Sequence, residues 1–254
     1  TRQDGAQVWS MPADGGEARR LTHLSTGVSS PSWTPDGKGI VLVSKVYPAA
    51  GADDTANKAL AEERKESTIQ AHLADELFYR HWTSYRDGRR DHILLFDMAK
   101  EAYTDLTPGD FDSPSYQQGA SGFDLSPDGK ELCFVSNRES PDAQSWTTNK
   151  DLWVVPLAGG QPRNLTADNR GYDGHPAYSP DGRSIAYLRQ RTPGYEADRF
   201  ELVLYDRDTN KTRALTDGFD DWVLDFQWSA DSKAITFMAP IKGRFPLLRV
   251  EVAS

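Results

Sequence analysis

One four-residue turn recurs along this chain and constrains its fold more than any other feature. It stands in four copies, the last of them degraded: Thr34-Pro35-Asp36-Gly37, Ser126-Pro127-Asp128-Gly129, Ser179-Pro180-Asp181-Gly182 and Ser229-Ala230-Asp231-Ser232. Proline presets φ at about −65°, aspartate can hydrogen-bond the backbone two residues on, and glycine accepts a positive φ. We therefore expect two strands to meet at each copy, and a chain of such repeats to stack similar units side by side.

A second repeated feature is a Leu-Thr pair, found at Leu21-Thr22, Leu106-Thr107, Leu165-Thr166 and Leu215-Thr216. The turns advance by 92, 53 and 50 residues, so the first interval carries an extra segment, localised between Lys45 and Asp91. Four-stranded propeller blades repeat at roughly 40 to 50 residues. The spacing therefore predicts an all-β fold, a β-propeller of four-stranded blades.

Short apolar runs supply the strands, and they are closer to continuous than to alternating, as in Ile185 to Leu188. Continuous runs are typical of strands covered on both faces. Counting strands predicts blade ends at 7–22, full blades at about 31–107, 121–166 and 175–216, and a partial blade at 224–252. A partial ring of four to five blades leaves open edges, which natural propellers avoid, so we expect a segment of a longer protein.

The extra segment at 45–91 has a different character and is predicted to be a helical insert in the first full blade. Asn57 to Leu77 contains no glycine or proline, and Ile69, Leu73 and Leu77 stand at i, i+4 and i+8. This spacing predicts one or two surface helices. The segment ends in the densest aromatic and charged cluster of the chain, from Asp75 to Tyr85.

The charge balance argues against two classes of partner. The net charge is −9 and the pI is about 5.1, whereas nucleic-acid and anionic-membrane binders usually present a basic face. No stretch approaches the roughly 20 apolar residues of a membrane span. The single cysteine, Cys133, lies in an apolar run and is predicted to be a buried, unreactive thiol.

The catalytic and metal motifs that can be tested are incomplete. The nearest string to a G-x-S-x-G elbow, Gly119 to Phe123, has the wrong spacing, and the five histidines are scattered without zinc-ligand spacing. Asp206 to Asn210 begins like a calcium loop, but Lys211 stands where glycine belongs and Asp217 replaces the glutamate. The sequence therefore predicts no catalytic residue, no metal and no cofactor.

The insert carries the candidate binding residues, Glu76, Arg80, His81, Trp82 and Tyr85. A carboxylate beside cationic and aromatic side chains could hold a peptide amine or carboxylate, because insertions on propellers tend to decorate binding faces. The alternative is that the aromatic residues cap the blade while the charges face water. Both interpretations stay open at this point.

The repeat as a whole resembles the propeller of the prolyl oligopeptidase family of serine peptidases. The features that carry the resemblance are the Ser-Pro-Asp-Gly turns, the strand at Ile185 to Leu188, the strand at Leu152 to Val155, the Gly159-Gly160 hairpin and the Leu-Thr pairs. The branch most resembled is that of acylaminoacyl peptidases and dipeptidyl peptidase V. The segment from Asp75 to Trp82 looks like an insert in an early blade of the latter, whereas TolB propellers share the repeats alone.

The resemblance implies a non-catalytic amino-terminal propeller that gates short peptides to a following α/β-hydrolase domain, which would supply the Ser, Asp and His of the triad. It also implies that an acidic residue such as Glu76 holds the substrate amine. A periplasmic or secreted location would follow by analogy, with a cytoplasmic one and the oligomeric state left open. The alternative is a TolB-like propeller that acts as a protein or peptide binding module.

Overall fold

The protein is described by a computed structural model that covers residues 5–69, 71–74, 77, 79–81, 83–115 and 122–252. Two compact units are present. The first consists of residues up to 120 together with 138–145, and the second of 121–137 and the chain from 146 onward. Neither helix within the described ranges has the length and apolar character that crossing a bilayer requires.

Strands dominate both units. In chain order the elements are β1 (Trp9–Ser10), β2 (Arg19–Arg20), β3 (Ser29–Trp33), β4 (Gly39–Val46), α1 (Asp54–Glu66), β5 (Arg80–His81), β6 (Ser84–Tyr85), β7 (Arg90–Asp97), β8 (Ala102–Asp105), β9 (Phe123–Leu125), β10 (Glu131–Ser136), α2 (Pro141–Gln144), β11 (Asp151–Pro156), β12 (Arg163–Asn164), β13 (Asp173–Tyr178), β14 (Ser184–Arg189), β15 (Glu201–Asp206), β16 (Lys211–Ala214), β17 (Asp225–Trp228), β18 (Ala234–Met238) and β19 (Leu247–Glu251).

The strands pair into antiparallel meanders, which is the arrangement of propeller blades. In the first unit β1 pairs with β2, and β3, β4, β7 and β8 form a four-stranded sheet in that order. In the second unit β9 to β12 and β13 to β16 form two further four-stranded sheets, and β17 to β19 form a three-stranded one. The predicted fold class, an all-β propeller segment with an insert after the second strand of a blade, is confirmed.

Burial explains why the second strands are apolar along their whole length. In β14, Ile185 and Tyr187 pack into a core with Cys133 and Leu152 of the preceding blade. Ala186 and Leu188, on the opposite face, pack with residues of β17 and β18. Strand β14 is thus covered on both faces, as a near-continuous apolar run requires.

The repeated turn folds in the same way in each copy. In the second copy the Ser126 hydroxyl donates to Asp128 Oδ1 at 2.8 Å, and the Gly129 N–H donates to the Ser126 carbonyl at 2.8 Å. Gly129 has a φ of 67°, a conformation that glycine adopts without a steric penalty. In the degraded copy Ser232 occupies this position with a φ of 62°.

The insert contains a shorter helix than its sequence predicts. Helix α1 begins at Asp54 and ends at Glu66, so the described residues from 67 to 77 are not helical. The predicted apolar stripe of Ile69, Leu73 and Leu77 is exposed to solvent. An amphipathic face stabilises a helix mainly by burying itself, whereas these three side chains stay largely or half exposed, so the prediction of a helix reaching Leu77 is wrong.

Candidate functional site at the insert

The start of the insert is fixed by one buried side chain. Asn57, in the first turn of α1, accepts a hydrogen bond from the Tyr47 N–H at 2.9 Å and donates to the carbonyls of Gly51 and Asp53 at 2.9 and 2.8 Å. Asp53 caps the helix by accepting the Ala56 N–H at 3.0 Å. The Asp53 bond satisfies an N–H that a helix start leaves unpaired, and the Asn57 bonds hold α1 to the chain that follows β4.

The far end of the insert is a short hairpin that returns the chain to the blade. Strands β5 and β6 pair Arg80 with Tyr85, and the Arg86 N–H donates to the Tyr79 carbonyl at 2.8 Å. The Tyr85 ring stacks on His72, with 3.9 Å between centroids and an interplanar angle of 5°. The half-exposed Tyr85 ring therefore gives the hairpin a flat aromatic surface.

A pocket of about 220 Å³, which we call the insert pocket, lies between this hairpin and the sheet of β3, β4, β7 and β8. Its lining is polar, apart from the tyrosine ring, and consists of Lys45, Ser84, Tyr85, Arg86, Asp87, Arg89 and Asp112. The end of β4, the hairpin and the chain after β8 each contribute to it. The pocket thus depends on the insert folding back onto the blade that carries it.

Ion pairs hold the walls of the pocket in place. Arg86 Nη2 lies 3.1 Å from Asp112 Oδ2, and Asp112 Oδ1 accepts the Asp91 N–H at 3.0 Å. Arg89 binds Asp87 Oδ2 through two nitrogens, at 2.8 and 2.5 Å. Arg64, near the end of α1, donates to the Asp87 carbonyl at 2.9 Å, which ties the helix to the pocket wall.

The carboxylates around the pocket differ in how they titrate. Burial by itself would raise the pKa of Asp87, but the hydrogen bond and the positive charge of Arg89 outweigh it and hold the pKa below its ordinary value. Burial raises the pKa of Asp91, and Lys45, 3.6 Å away, offsets this in part. Asp87 is therefore ionised at neutral pH, where peptide amines are protonated.

Of the five residues predicted from the sequence to bind a peptide, one lines the pocket within the described part of the chain. Tyr85 is half exposed and lines the pocket, whereas Arg80 is exposed on the neighbouring strand and is not part of the lining. The backbone of His81 lies in β5. Glu76 and Trp82 lie outside the described residues, so their proposed roles stay predictions.

Sequence reasoning missed most of the pocket lining. Arg86, Asp87 and Arg89 belong to a dense charged run that directly follows the aromatic cluster, and that run was the available signal. Lys45 and Asp112 are distant in sequence and carry no local signal. They reach the pocket because β4 and β7 pair in register, Lys45 with Asp91, and Asp112 binds the Asp91 backbone.

The described residues offer little catalytic chemistry at this end of the blade. His92 is fully buried between Asp105 Oδ2, at 2.7 Å from Nδ1, and the Gly109 carbonyl, at 2.9 Å from Nε2. Because both ring nitrogens are engaged, His92 holds the loop after β8 and has no nitrogen available for a nucleophile. Within the described ranges, no group of three or more His, Cys, Asp or Glu side chains is arranged to hold a metal ion.

Comparison with known proteins supports a propeller related to peptidases. No family model matches the chain. Dipeptidyl-peptidase 5 of Porphyromonas gingivalis is 31% identical over 172 residues, 66% of this chain and 25% of the relative. Dipeptidyl-peptidase 5 of Porphyromonas endodontalis is 30% identical over 203 residues, 78% of this chain and 28% of the relative. The chain thus spans about a quarter of the length of these relatives.

Solved structures give the fold. An acylaminoacyl peptidase aligns with a TM-score of 0.65 at 12% identity, covering 98% of this chain and 35% of that one. TolB from Acinetobacter baumannii aligns with a TM-score of 0.55 at 18% identity, covering 97% of this chain and 48% of that one. The class of protein is therefore a β-propeller segment. The resemblance to the propellers of prolyl oligopeptidase family peptidases is confirmed, and the relatives matched by sequence are dipeptidyl-peptidases 5.

Proposed function

We propose that this chain forms a non-catalytic propeller domain of a serine peptidase of the dipeptidyl or acylaminoacyl type. In this proposal it admits short peptides to a hydrolase domain outside residues 1–254, and the insert pocket holds the amino end of the peptide. The observation that carries the proposal is the pocket of about 220 Å³ between the β5–β6 hairpin and the blade.

Three properties of the pocket support a peptide amine as the ligand. The Asp87 carboxylate is ionised at neutral pH and, beside its ion pair with Arg89, can accept a further hydrogen bond from an ammonium group. The Ser84 hydroxyl can accept a hydrogen bond from an N–H group. The Tyr85 ring, held by its stacking on His72, offers a rigid apolar surface to a small side chain. In this proposal Glu76 provides a second carboxylate for the amine.

Binding of alanyl-alanine amide, which has a free amine and no carboxylate, tests the proposal. We expect Tyr85→Ala and Glu76→Gln each to weaken binding about tenfold, which corresponds to about 1.4 kcal/mol. Tyr195→Ala, at an exposed tyrosine of the second unit, is the matched control. A lower melting temperature with unchanged affinity would instead support the capping interpretation of the aromatic residues.

The absence of turnover by this chain alone is a second expectation of the proposal. The purified chain should not hydrolyse dipeptidyl nitroanilides, and the gene should encode G-x-S-x-G followed by Asp and then His after Ser254. Hydrolysis that a serine-directed inhibitor abolishes would contradict it.

The alternative function is a TolB-like binding module, favoured by the alignment with TolB over 97% of the chain. That likeness concerns the fold alone, whereas the matches near 30% identity are to dipeptidyl-peptidases. A gene that ends within one or two further blades would favour the binding module.

A further inference from the structure

A second and larger cleft lies in the second unit, formed by residues outside the insert. Its volume is about 710 Å³, and it separates the segment after β12, including Thr166 and Asn169, from the blade of β13 to β16, including Tyr187 and Arg189. Small-molecule sites usually measure about 300 to 1,000 Å³, so the cleft has room for a ligand of dipeptide size.

The lining of this cleft is mainly cationic, although the protein carries a net charge of −9. Arg189, Arg191 and Lys211 contribute positive charges, and Asp168 is the one carboxylate among the lining residues. Within the described residues, no carboxylate lies at ion-pair distance from Lys211. Lys211 therefore offers an anionic ligand a positive charge that no described carboxylate neutralises.

The two arginines are oriented by a buried carboxylate that does not line the cleft. Glu201, whose side chain is 3% exposed, lies 3.2 Å from Arg189 Nη2, 2.7 Å from Arg191 Nε and 2.7 Å from Arg199 Nη2. Arg191 Nη2 also binds Asp217 at 2.6 Å, yet the Arg191 side chain remains 52% exposed. Guanidinium groups held in this way lose less side-chain entropy when a ligand binds, and Arg191 keeps its Nη1 group to donate to a ligand carboxylate.

Two asparagines add a complementary donor and acceptor. Asn210 accepts the Tyr205 hydroxyl through Oδ1 at 2.6 Å, which leaves its amide nitrogen as a donor. Asn169 donates through Nδ2 to the Gln190 carbonyl at 3.0 Å, which leaves its Oδ1 as an acceptor. A peptide bond next to a carboxylate needs one donor and one acceptor, whereas a phosphate needs donors only.

We propose that this cleft binds the carboxylate end of a short peptide, with Arg189 and Arg191 on the carboxylate and the two asparagines on the peptide backbone. The site is independent of the insert pocket, because it consists of different residues and recognises the opposite end of a peptide.

Isothermal titration with N-acetyl-alanyl-alanine tests the proposal, because this probe has a carboxylate and no free amine. We expect its carboxamide analogue to bind at least about tenfold more weakly, since the charge-assisted hydrogen bonds to the carboxylate are lost. Arg191→Gln should weaken binding of the acid by about tenfold. Arg183→Gln, which removes the same charge from an exposed turn of the same blade, should leave it unchanged.

Several outcomes would overturn the proposal. These are equal affinity for acid and amide, no binding of either, or the same effect from Arg191→Gln and Arg183→Gln. Inorganic phosphate that binds as tightly as the acid, and loses affinity in Arg191→Gln, would identify a general anion site instead. If Arg191→Gln does not fold, Lys211→Gln replaces it, with Lys130→Gln in another hairpin turn as its control. Failure of alanyl-alanine amide to bind would contradict the proposed function of the insert pocket and leave the proposal for this cleft unaffected.

Discussion

The side-chain oxygen of Thr107 lies 2.9 Å from the backbone nitrogen of Ile93 and accepts its hydrogen bond inside the blade. The same bond joins Thr22 to Val8, Thr166 to Leu152 and Thr216 to Leu202, each 14 residues apart. In every case the preceding leucine donates its N–H to the carbonyl of the same third-strand residue. The Leu-Thr pair therefore completes the hydrogen bonding of the third strand. Its threonine side chain accepts the N–H of one third-strand residue, and its leucine N–H donates to the carbonyl of that same residue.

Replacement of Thr107 by valine should destabilise the first unit. The substitution keeps the shape of the side chain but leaves the buried Ile93 N–H without an acceptor, at a cost of about 1 to 3 kcal/mol. Thr104→Val, on the exposed face of β8, should change stability by less than about 0.5 kcal/mol. Urea denaturation measures both, and equal effects would mean that the Thr107 hydroxyl has no role in the blade.

Asp173 should make stability depend on pH. Burial raises its pKa to about 8, with a smaller contribution from the charge of Asp151. The folded state therefore keeps a proton that the unfolded chain releases near pH 4. The contribution of this proton to the free energy of unfolding is complete below about pH 4 and is lost as the pH rises through about 8. Asp173→Asn should thus stabilise the protein by about 1 to 3 kcal/mol at pH 8 and have little effect at pH 4. Thermal unfolding across this range tests it, with the exposed Asp220→Asn as control.

Cys133 should be inert in the folded protein. It is completely buried in the core between two blades, and burial, with a smaller contribution from the Asp124 charge, raises its thiol pKa well above the ordinary value. The thiolate is the reactive form, so modification by Ellman's reagent should require unfolding. The measurement is the rate of colour development with and without denaturant. Rapid reaction of the native protein would show that this core opens locally.

Asn57→Leu should loosen the insert more than the blade. It removes one acceptor and two donor contacts from the start of α1, whose partners lie at Tyr47, Gly51 and Asp53. We expect faster proteolytic cleavage within 54–89 and a loss of about 1 to 3 kcal/mol in local stability. Glu63→Ala, on the exposed face of the same helix, is the control. Unchanged cleavage rates would mean that Arg64 and the hairpin suffice to hold the insert.

Local sequence determined the blade, because its signals act over a few residues. The Ser-Pro-Asp-Gly turns specify where two strands meet, and continuous apolar runs such as Ile185 to Leu188 indicate strands covered on both faces. Their spacing also located the insert. The length of α1 could not be obtained in this way, because Ile69, Leu73 and Leu77 have helical spacing but stay exposed to solvent in the folded chain.

Only the tertiary structure decided the composition of the two candidate sites. Lys45 and Asp112 reach the insert pocket through strand register and loop closure, which join residues that are far apart in sequence. In the sequence, Arg189 and Arg191 are charged residues near a strand end with no further signal. The structure brings both of them into contact with the buried Glu201. Turn and strand preferences are local free energies, whereas a binding site depends on long-range contacts between elements that each fold correctly without it.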